Sequence, residues 1–277
     1  MTQQADTIGV YDSGVGGLSV LREIQVQLPH EDLIYFGDQA NCPYGQRSKK
    51  ELQDLAEGIT HFLLDKNIKL LVIACNTASA AALKETRLQF PYLPIVGMEP
   101  AVKPAASQTL TGKVGVLATP STFEGELYAS VIERFAQNVE VFESTCPGLV
   151  KQIEKGDLES PQTLNILREA IRPMIANGAD TLVMGCTHYP FVIPQIRQLA
   201  GPGVAVIDPA PAVARQLNRV LEAKRLQNQQ LLPGKLSFYT SGNTEAFLKI
   251  LSKLTTLQGE VHQVVWQDNV LKEITKA

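Results

Sequence analysis

Two cysteines carry the most chemistry for their surroundings. Cys75 closes the apolar run LLVIAC (70–75) and Cys186 closes TLVMGC (181–186). Hydrogen-bonding side chains follow each, Asn76 and Thr77 after the first, Thr187 and His188 after the second, and each precedes a stretch that reads as a helix. A thiol at a helix N-terminus has its thiolate stabilised by free N–H groups and the helix dipole. With an ordinary pKa of about 8.5, such a thiol can give or take a proton near neutral pH. Two matched thiols facing each other across a cleft suit the removal of a proton from one face of a carbon and its return to the opposite face, one sulfur acting as thiolate and the other as thiol. Asp12, ending the first apolar run, and His188 are the natural groups to set those protonation states. Glu154, in the helix-like LVKQIEKG, is a third, with a solvated glutamate as its plain alternative.

Three loops complete the expected site. DSGVGGLS after the first run is neither G-x-G-x-x-G nor a Walker A, because Gly14, Gly16 and Gly17 have the wrong spacing and no Gly-Lys-Ser/Thr follows. Its backbone N–H groups could hold a substrate carboxylate with Ser13 assisting, or the glycines could serve only a tight strand-to-helix turn. CPYGQRS (42–48), with Pro43, Tyr44 and Gly45, reads as a loop whose tyrosine stands outside the core. TPSTFEG (119–125) could point Thr119, Ser121 and Thr122 into the cleft, or Ser121 and Glu124 could form a capping box. Cys75, Cys186 and His188 also resemble a catalytic metal set, but nothing has structural-site spacing and C-x-H is too common to count, so no metal is expected. Nor is pyridoxal phosphate. A cysteine hydrolase would leave the second cysteine unexplained.

These residues need strands to end on and helices to follow. Nine short apolar, β-branched runs recur: 8–12, 33–38, 70–75, 94–99, 113–119, 139–144, 181–186, 204–208 and 236–242. Helical patterns lie between them, the clearest over 48–66 behind a Ser48-to-Glu51 capping box. Alternating strands and helices imply parallel sheets covered on both faces. Three pairs of segments also repeat in order: IGVYDSG with VGVLATP at an offset of 106, LVIACNT with LVMGCTH at 111, and GMEPAV with VIDPAPAV at 109. The expectation is two similar α/β domains with mainly parallel sheets, pseudo-twofold related, with the site in the cleft between them. Residues 1–99 with 209–277 would form the first domain and 100–208 the second. The last block should hold helices over 212–224 and 243–254, a strand-like VHQVVW and a terminal helix, with 225–235 as a polar linker.

Of 277 residues, 44% are hydrophobic and 19% charged, enough for a substantial core, and the net charge of -3 offers no footprint for nucleic acid. MTQQADT lacks the features of a signal peptide, and no apolar stretch is long enough for a membrane span, so a cytoplasmic enzyme is expected. Four scattered cysteines make no disulfide scaffold.

IGVYDSGVGGLSVLREI, YFGDQANCPYG, VIACNTASA, GCTHYP and FYTSGN together resemble the glutamate racemases, within the aspartate/glutamate racemase superfamily, along nearly the whole chain. CPGLVKQIEKG matches only loosely in its middle. The resemblance implies a cofactor-independent enzyme that interconverts L- and D-glutamate for peptidoglycan synthesis in the bacterial cytoplasm. Cys75 and Cys186 would be the proton donor/acceptor pair, Asp12, His188 and Glu154 would assist, and Asp12, Ser13, Pro43, Tyr44, Gly45, Asn76, Thr77, Thr119, Thr122, Thr187 and His188 would meet the substrate. Only the resemblance names glutamate; the residues alone leave aspartate, hydantoins or a malonate-type acid open. An aspartate racemase is the nearest rival, and a non-catalytic amino-acid sensor would not need the thiol pair. No membrane or nucleic-acid partner is implied, and homodimerisation is left open.

Overall fold

All nine β-branched runs form strands in the computed structural model, which describes residues 6–274; residues 1–5, with most of MTQQADT, and 275–277 lie outside the described residues. The first half runs β1 (Thr7–Asp12), α1 (Leu18–Gln27), β2 (Leu33–Gly37), α2 (Lys49–Leu64), β3 (Ile68–Ile73), α3 (Asn76–Gln89), β4 (Ile95–Gly97) and α4 (Val102–Gln108). It continues through β5 (Lys113–Ala118), α5 (Pro120–Phe123), α6 (Glu126–Phe135), β6 (Glu140–Ser144), α7 (Leu149–Glu154), α8 (Pro161–Ala176), β7 (Thr181–Gly185), α9 (Ile193–Ala200) and β8 (Ala205–Ile207). The last block is α10 (Ala210–Lys224), β9 (Leu236–Thr240), α11 (Thr244–Leu254), β10 (Glu260–Gln267) and β11 (Val270–Glu273). Ser48 and Glu51 make the expected capping box on α2, each side chain accepting from the other's backbone.

The strands form two sheets, β11-β10-β9-β2-β1-β3-β4 and β6-β5-β7-β8. Written from the other edge, the second sheet is β8-β7-β5-β6, the same order as β4-β3-β1-β2 in the first. The match extends to register. Gly9 of β1 stands opposite Ile34 and Leu71, and Gly115 of β5 stands opposite Phe142 and Leu182, so the repeat seen in sequence pairs its strands alike in both copies. All pairings are parallel except β10 with β11.

The expected terminal helix is instead a strand. Asp268 and Asn269 both take positive φ, 49° and 62°, a conformation that Asp and Asn tolerate and that turns the chain back as a tight hairpin. Val270–Glu273 then pairs antiparallel with β10 and buries Leu271. The stretch 225–235 has no regular structure but is anchored, with the Asn228 N–H donating to Glu31 at 2.8 Å and the Gly234 N–H to the Pro29 carbonyl at 2.9 Å. Glu31 in turn meets the buried ammonium of Lys69 at 2.6 Å.

Alternation along the central strands sends Ile8, Val10, Leu70 and Val72 to one face and Tyr11, Leu71 and Ile73 to the other. The first face packs on α1 and α10, and its apolar cluster runs on through Val15, Leu149, Ile153 and Tyr189 into the core beneath β7. The two domains thus share continuous apolar contact beside the cleft. No helix among the described residues is long and apolar enough to cross a membrane.

Candidate active site

In parallel sheets, functional groups gather at the carboxyl ends of strands where the chain crosses to a helix. Asp12 ends β1, Cys75 lies just past β3 and Cys186 follows β7 directly, so the cysteines occupy corresponding places in the two copies. Their local settings differ. Cys75 is the N-cap of α3, its sulfur accepting from the Ala78 N–H at 3.5 Å. Cys186 caps no helix, because the chain makes a 3-10 turn over Tyr189–Val192 before α9 begins at Ile193. The sequence expectation of a helix N-terminus behind each thiol holds only for Cys75. The Cys186 sulfur faces His188 Nδ1 instead, at 3.7 Å.

His188 Nε2 lies 2.6 Å from Glu154 Oε1, which also accepts from the Val15 N–H at 2.7 Å, while Glu154 Oε2 accepts from Gln39 at 3.3 Å. Burial opposes charge on the His188 ring, but its contacts with Cys186 and Glu154 outweigh it and hold the imidazolium well above its ordinary pKa. Burial likewise pushes Glu154 up, yet the His188 bond and charge and the Val15 N–H bring it below the usual carboxylate range. Asp12 is fully buried, its carboxylate accepting from the Gly14 N–H and the Thr187 hydroxyl, each at 2.9 Å. Its pKa is raised, chiefly by burial, against the lowering influence of His188. The Cys75 thiol is driven up by burial and then by the Asp12 charge, more than its N-cap bond offsets, so it holds its proton at neutral pH.

The Gly14 and Val15 donors of DSGVGGLS thus engage protein carboxylates. A Cβ on Gly14 would overlap the Glu154 carboxylate, and one on Gly16 would overlap the His188 ring and lie 2.6 Å from the Thr187 hydroxyl. The loop carries glycines because the second domain presses its polar groups onto it.

Between the thiols lies a cavity of about 20 Å³, room for roughly one water and much smaller than an amino acid. Cys75, Cys186, Ser13, Pro43, Tyr44, Gly45, Asn76, Thr77, Thr119, Thr187 and His188 all line it, together with Val150. Asp12, Glu154 and Thr122 do not. Asp12 stands behind Ser13 and Thr187, and Glu154 behind His188. Thr122 lies behind Thr119, their hydroxyls 3.0 Å apart, and Thr119 meets Thr77 at 2.8 Å. Neither end of the buried Asn76 amide has a hydrogen-bond partner among the described residues. Native proteins rarely leave such groups unpaired, so this amide marks where a polar ligand belongs.

Two loop expectations change. Ser121 caps nothing, since α5 ends before Glu124; its hydroxyl donates to the Gly45 carbonyl at 3.0 Å, tying the two cleft loops together. Tyr44 is buried and belongs to the apolar cluster that holds Tyr11 and Ile73. The residue that holds it there is Asp38, which sequence reasoning passed over as the end of a strand. Its buried carboxylate accepts from Tyr44 at 2.6 Å, Ser241 at 2.7 Å and Trp266 at 2.8 Å. The signal was an acid closing an apolar run at the sheet's carboxyl end, as Asp12 does. A metal could find donors in a different set from the one sequence suggested: ligand atoms of Cys42, Glu154 and His188 lie within 4.8 Å of one another.

Comparison with known proteins agrees with this geometry. Residues 8–217 match the Asp/Glu/Hydantoin racemase family. The chain is 48% identical to the glutamate racemase of Roseiflexus sp. (strain RS-1) over 264 residues, covering 95% of this chain and 97% of that one. The crystal structure of a glutamate racemase isoform from Bacillus anthracis superposes with a TM-score of 0.86 at 32% identity, over 97% of this chain and 100% of that one. A glutamate racemase from Francisella tularensis, solved in complex with D-glutamate, gives 0.81 at 31% identity, over 93% and 97%. Two repeated α/β domains, a thiol at the same strand end of each and a match spanning most of the sequence lead to one conclusion: this chain belongs to the Asp/Glu/Hydantoin racemase family.

Proposed function

We propose that this chain racemises glutamate by a two-base proton transfer at the α-carbon without a cofactor. The observation that carries the proposal is that Cys75 and Cys186, from corresponding strand ends of two repeated domains, line one cavity. In the resting state Cys75 is the thiol. Cys186, whose sulfur faces His188 Nδ1 at 3.7 Å, is the group that acts as base. The Cys186 thiolate takes the α-proton, leaving a carbanion conjugated with the substrate carboxylate, and Cys75 delivers its proton to the opposite face. The products are the other enantiomer, a Cys186 thiol and a Cys75 thiolate, and the roles exchange for the reverse substrate. Glu154 keeps His188 charged, and Asp12 opposes negative charge on Cys75 while holding Thr187. Ser13, Asn76, Thr77, Thr119, Thr187, His188 and the Pro43–Gly45 loop receive the substrate. Glutamate, and not aspartate, is favoured by relatives named glutamate racemase at close to half identity.

The domain division, 1–99 with 209–277 and 100–208, is part of the same proposal. Its support is that β9–β11 extend the sheet of β1–β4 while β5–β8 form their own. A role in supplying D-glutamate for peptidoglycan in a bacterial cytoplasm follows from the family resemblance.

The test is incubation with L-glutamate, and separately L-aspartate, in deuterium oxide without added metal or pyridoxal phosphate, following circular dichroism and α-proton exchange. Glutamate should racemise with exchange, and Cys75→Ser and Cys186→Ser should each lose about 10²–10⁴-fold in rate. Full activity in either variant would refute the two-base mechanism, and turnover of aspartate alone would refute the substrate.

A further inference from the structure

Cys42 plays no part in the mechanism above and does not line the cavity, yet it stands beside two groups that matter to it. Its sulfur, a Glu154 carboxylate oxygen and a His188 ring nitrogen lie within 4.8 Å of one another. Zinc bonds of roughly 2.0–2.3 Å at tetrahedral angles set ligand atoms about 3.3–3.8 Å apart. The three donors therefore need close by only about 1 Å. Thiolate, imidazole and carboxylate are the donors of borderline-soft ions and do not suit magnesium or calcium. The nitrogen on the Glu154 side is Nε2, which now shares a proton with the carboxylate at 2.6 Å.

Charge favours the exchange. A dication bound to the Cys42 thiolate, the neutral His188 imidazole and the Glu154 carboxylate sums to zero, with the Cys42 proton and any proton on His188 Nε2 released to solvent. The occupied set therefore carries no unbalanced charge. Cys42 and Glu154 are only partly buried, which leaves a route from solvent.

We propose that Cys42, Glu154 and His188 form an inhibitory site for a thiophilic dication of the zinc class. The bound ion takes the place of the direct hydrogen bond between His188 Nε2 and Glu154, and so disturbs the ring that faces Cys186. Three protein ligands leave a fourth position for water, the pattern of an accessible and reversible site.

The test uses the full chain with Zn²⁺ and Co²⁺, comparing wild type with Cys42→Ser and Cys42→Ala. Wild type should bind one Co²⁺ with a thiolate charge-transfer band, and Zn²⁺ should raise its Tm and inhibit it reversibly, with EDTA restoring the rate. Both variants should keep basal turnover, lose the band and bind Zn²⁺ at least about tenfold more weakly. Absence of binding, or binding and inhibition unchanged in both variants, overturns the proposal, the latter because Cys75 and Cys186 would then hold the ion. Only the inhibition rests on the racemase reading. A Cys42-dependent band and Tm shift in a protein that fails to racemise glutamate would uphold the site and sink that reading alone.

Discussion

Glu154 and His188 set the proton inventory beside Cys186, and their shifts fix the sign of a pH response. Glu154 titrates below its ordinary value of about 4.3, so its stabilisation is present above that pH and is lost as pH falls through the lower folded value. His188 titrates above its ordinary value of about 6.5, so its stabilisation is complete below that pH and is lost as pH rises through the higher folded value. The pair thus stabilises best between those two ordinary values. Without the carboxylate, His188 should release its proton more easily. In Glu154→Gln the alkaline limb of the kcat/KM profile is expected to move to lower pH, and a limb that stays in place would remove Glu154 from this role. Asn76 makes the opposite kind of case. Its unpaired buried amide costs the free protein about 1–3 kcal/mol, a cost that a bound polar ligand would relieve. Asn76→Ala should unfold in urea no earlier than wild type while its KM for glutamate rises. A loss of stability with unchanged KM would show that the amide serves the fold.

At the scale of elements, two loops meet across the cleft through Ser121 and Gly45, and a carboxylate pins one of them. The 3-10 turn Tyr44–Gln46 has a single turn's worth of backbone bonds, and Asp38 supplies what it lacks by joining Tyr44 to Ser241 after β9 and Trp266 of β10. Removing that acceptor strands several buried donors. Asp38→Ala should lose at least about 2 kcal/mol of stability by urea denaturation and show a raised KM, whereas Asp38→Asn, which keeps an acceptor oxygen, should lose less. An Asp38→Ala protein as stable as wild type would mean that Tyr44 is held by apolar packing alone. The C-terminal strands matter here for the same reason. Trp266 reaches Asp38 only because β10 pairs with β9 and β11 returns along β10.

For the whole molecule, a 20 Å³ cavity is too small for an amino acid, and the expected response to substrate is that the domains part where DSGVGG meets Thr187 and His188. Cys75 and Cys186 are about 5% and 6% exposed, so modification by a disulfide reagent should wait on that motion. The labelling rate at these two residues, followed by peptide mapping, should level off as reagent concentration rises. A rate that keeps climbing toward that of the urea-unfolded chain would show that the cleft stands open in solution.

The local pattern of the sequence was sufficient for whatever depends on neighbours along the chain. β-branched runs gave the strands, Ser48 and Glu51 began α2, and a repeat at nearly constant offset foretold two copies of one α/β unit, which the two sheets then share in order and register. The thiols at matching strand ends were legible for the same reason. What depended on contacts between distant segments was settled only by tertiary structure. DSGVGG reads alike as an anion loop or a turn until Glu154 and His188, well over a hundred residues away, are set against its glycines. Tyr44 looks like a loop residue until Asp38 and the C-terminal strands draw it inward, and the two cysteines look equivalent until one caps a helix and the other faces a histidine. Periodicity and capping are short-range and leave a mark in adjacent letters, whereas burial, charge pairing and proton ownership depend on which groups the fold brings together.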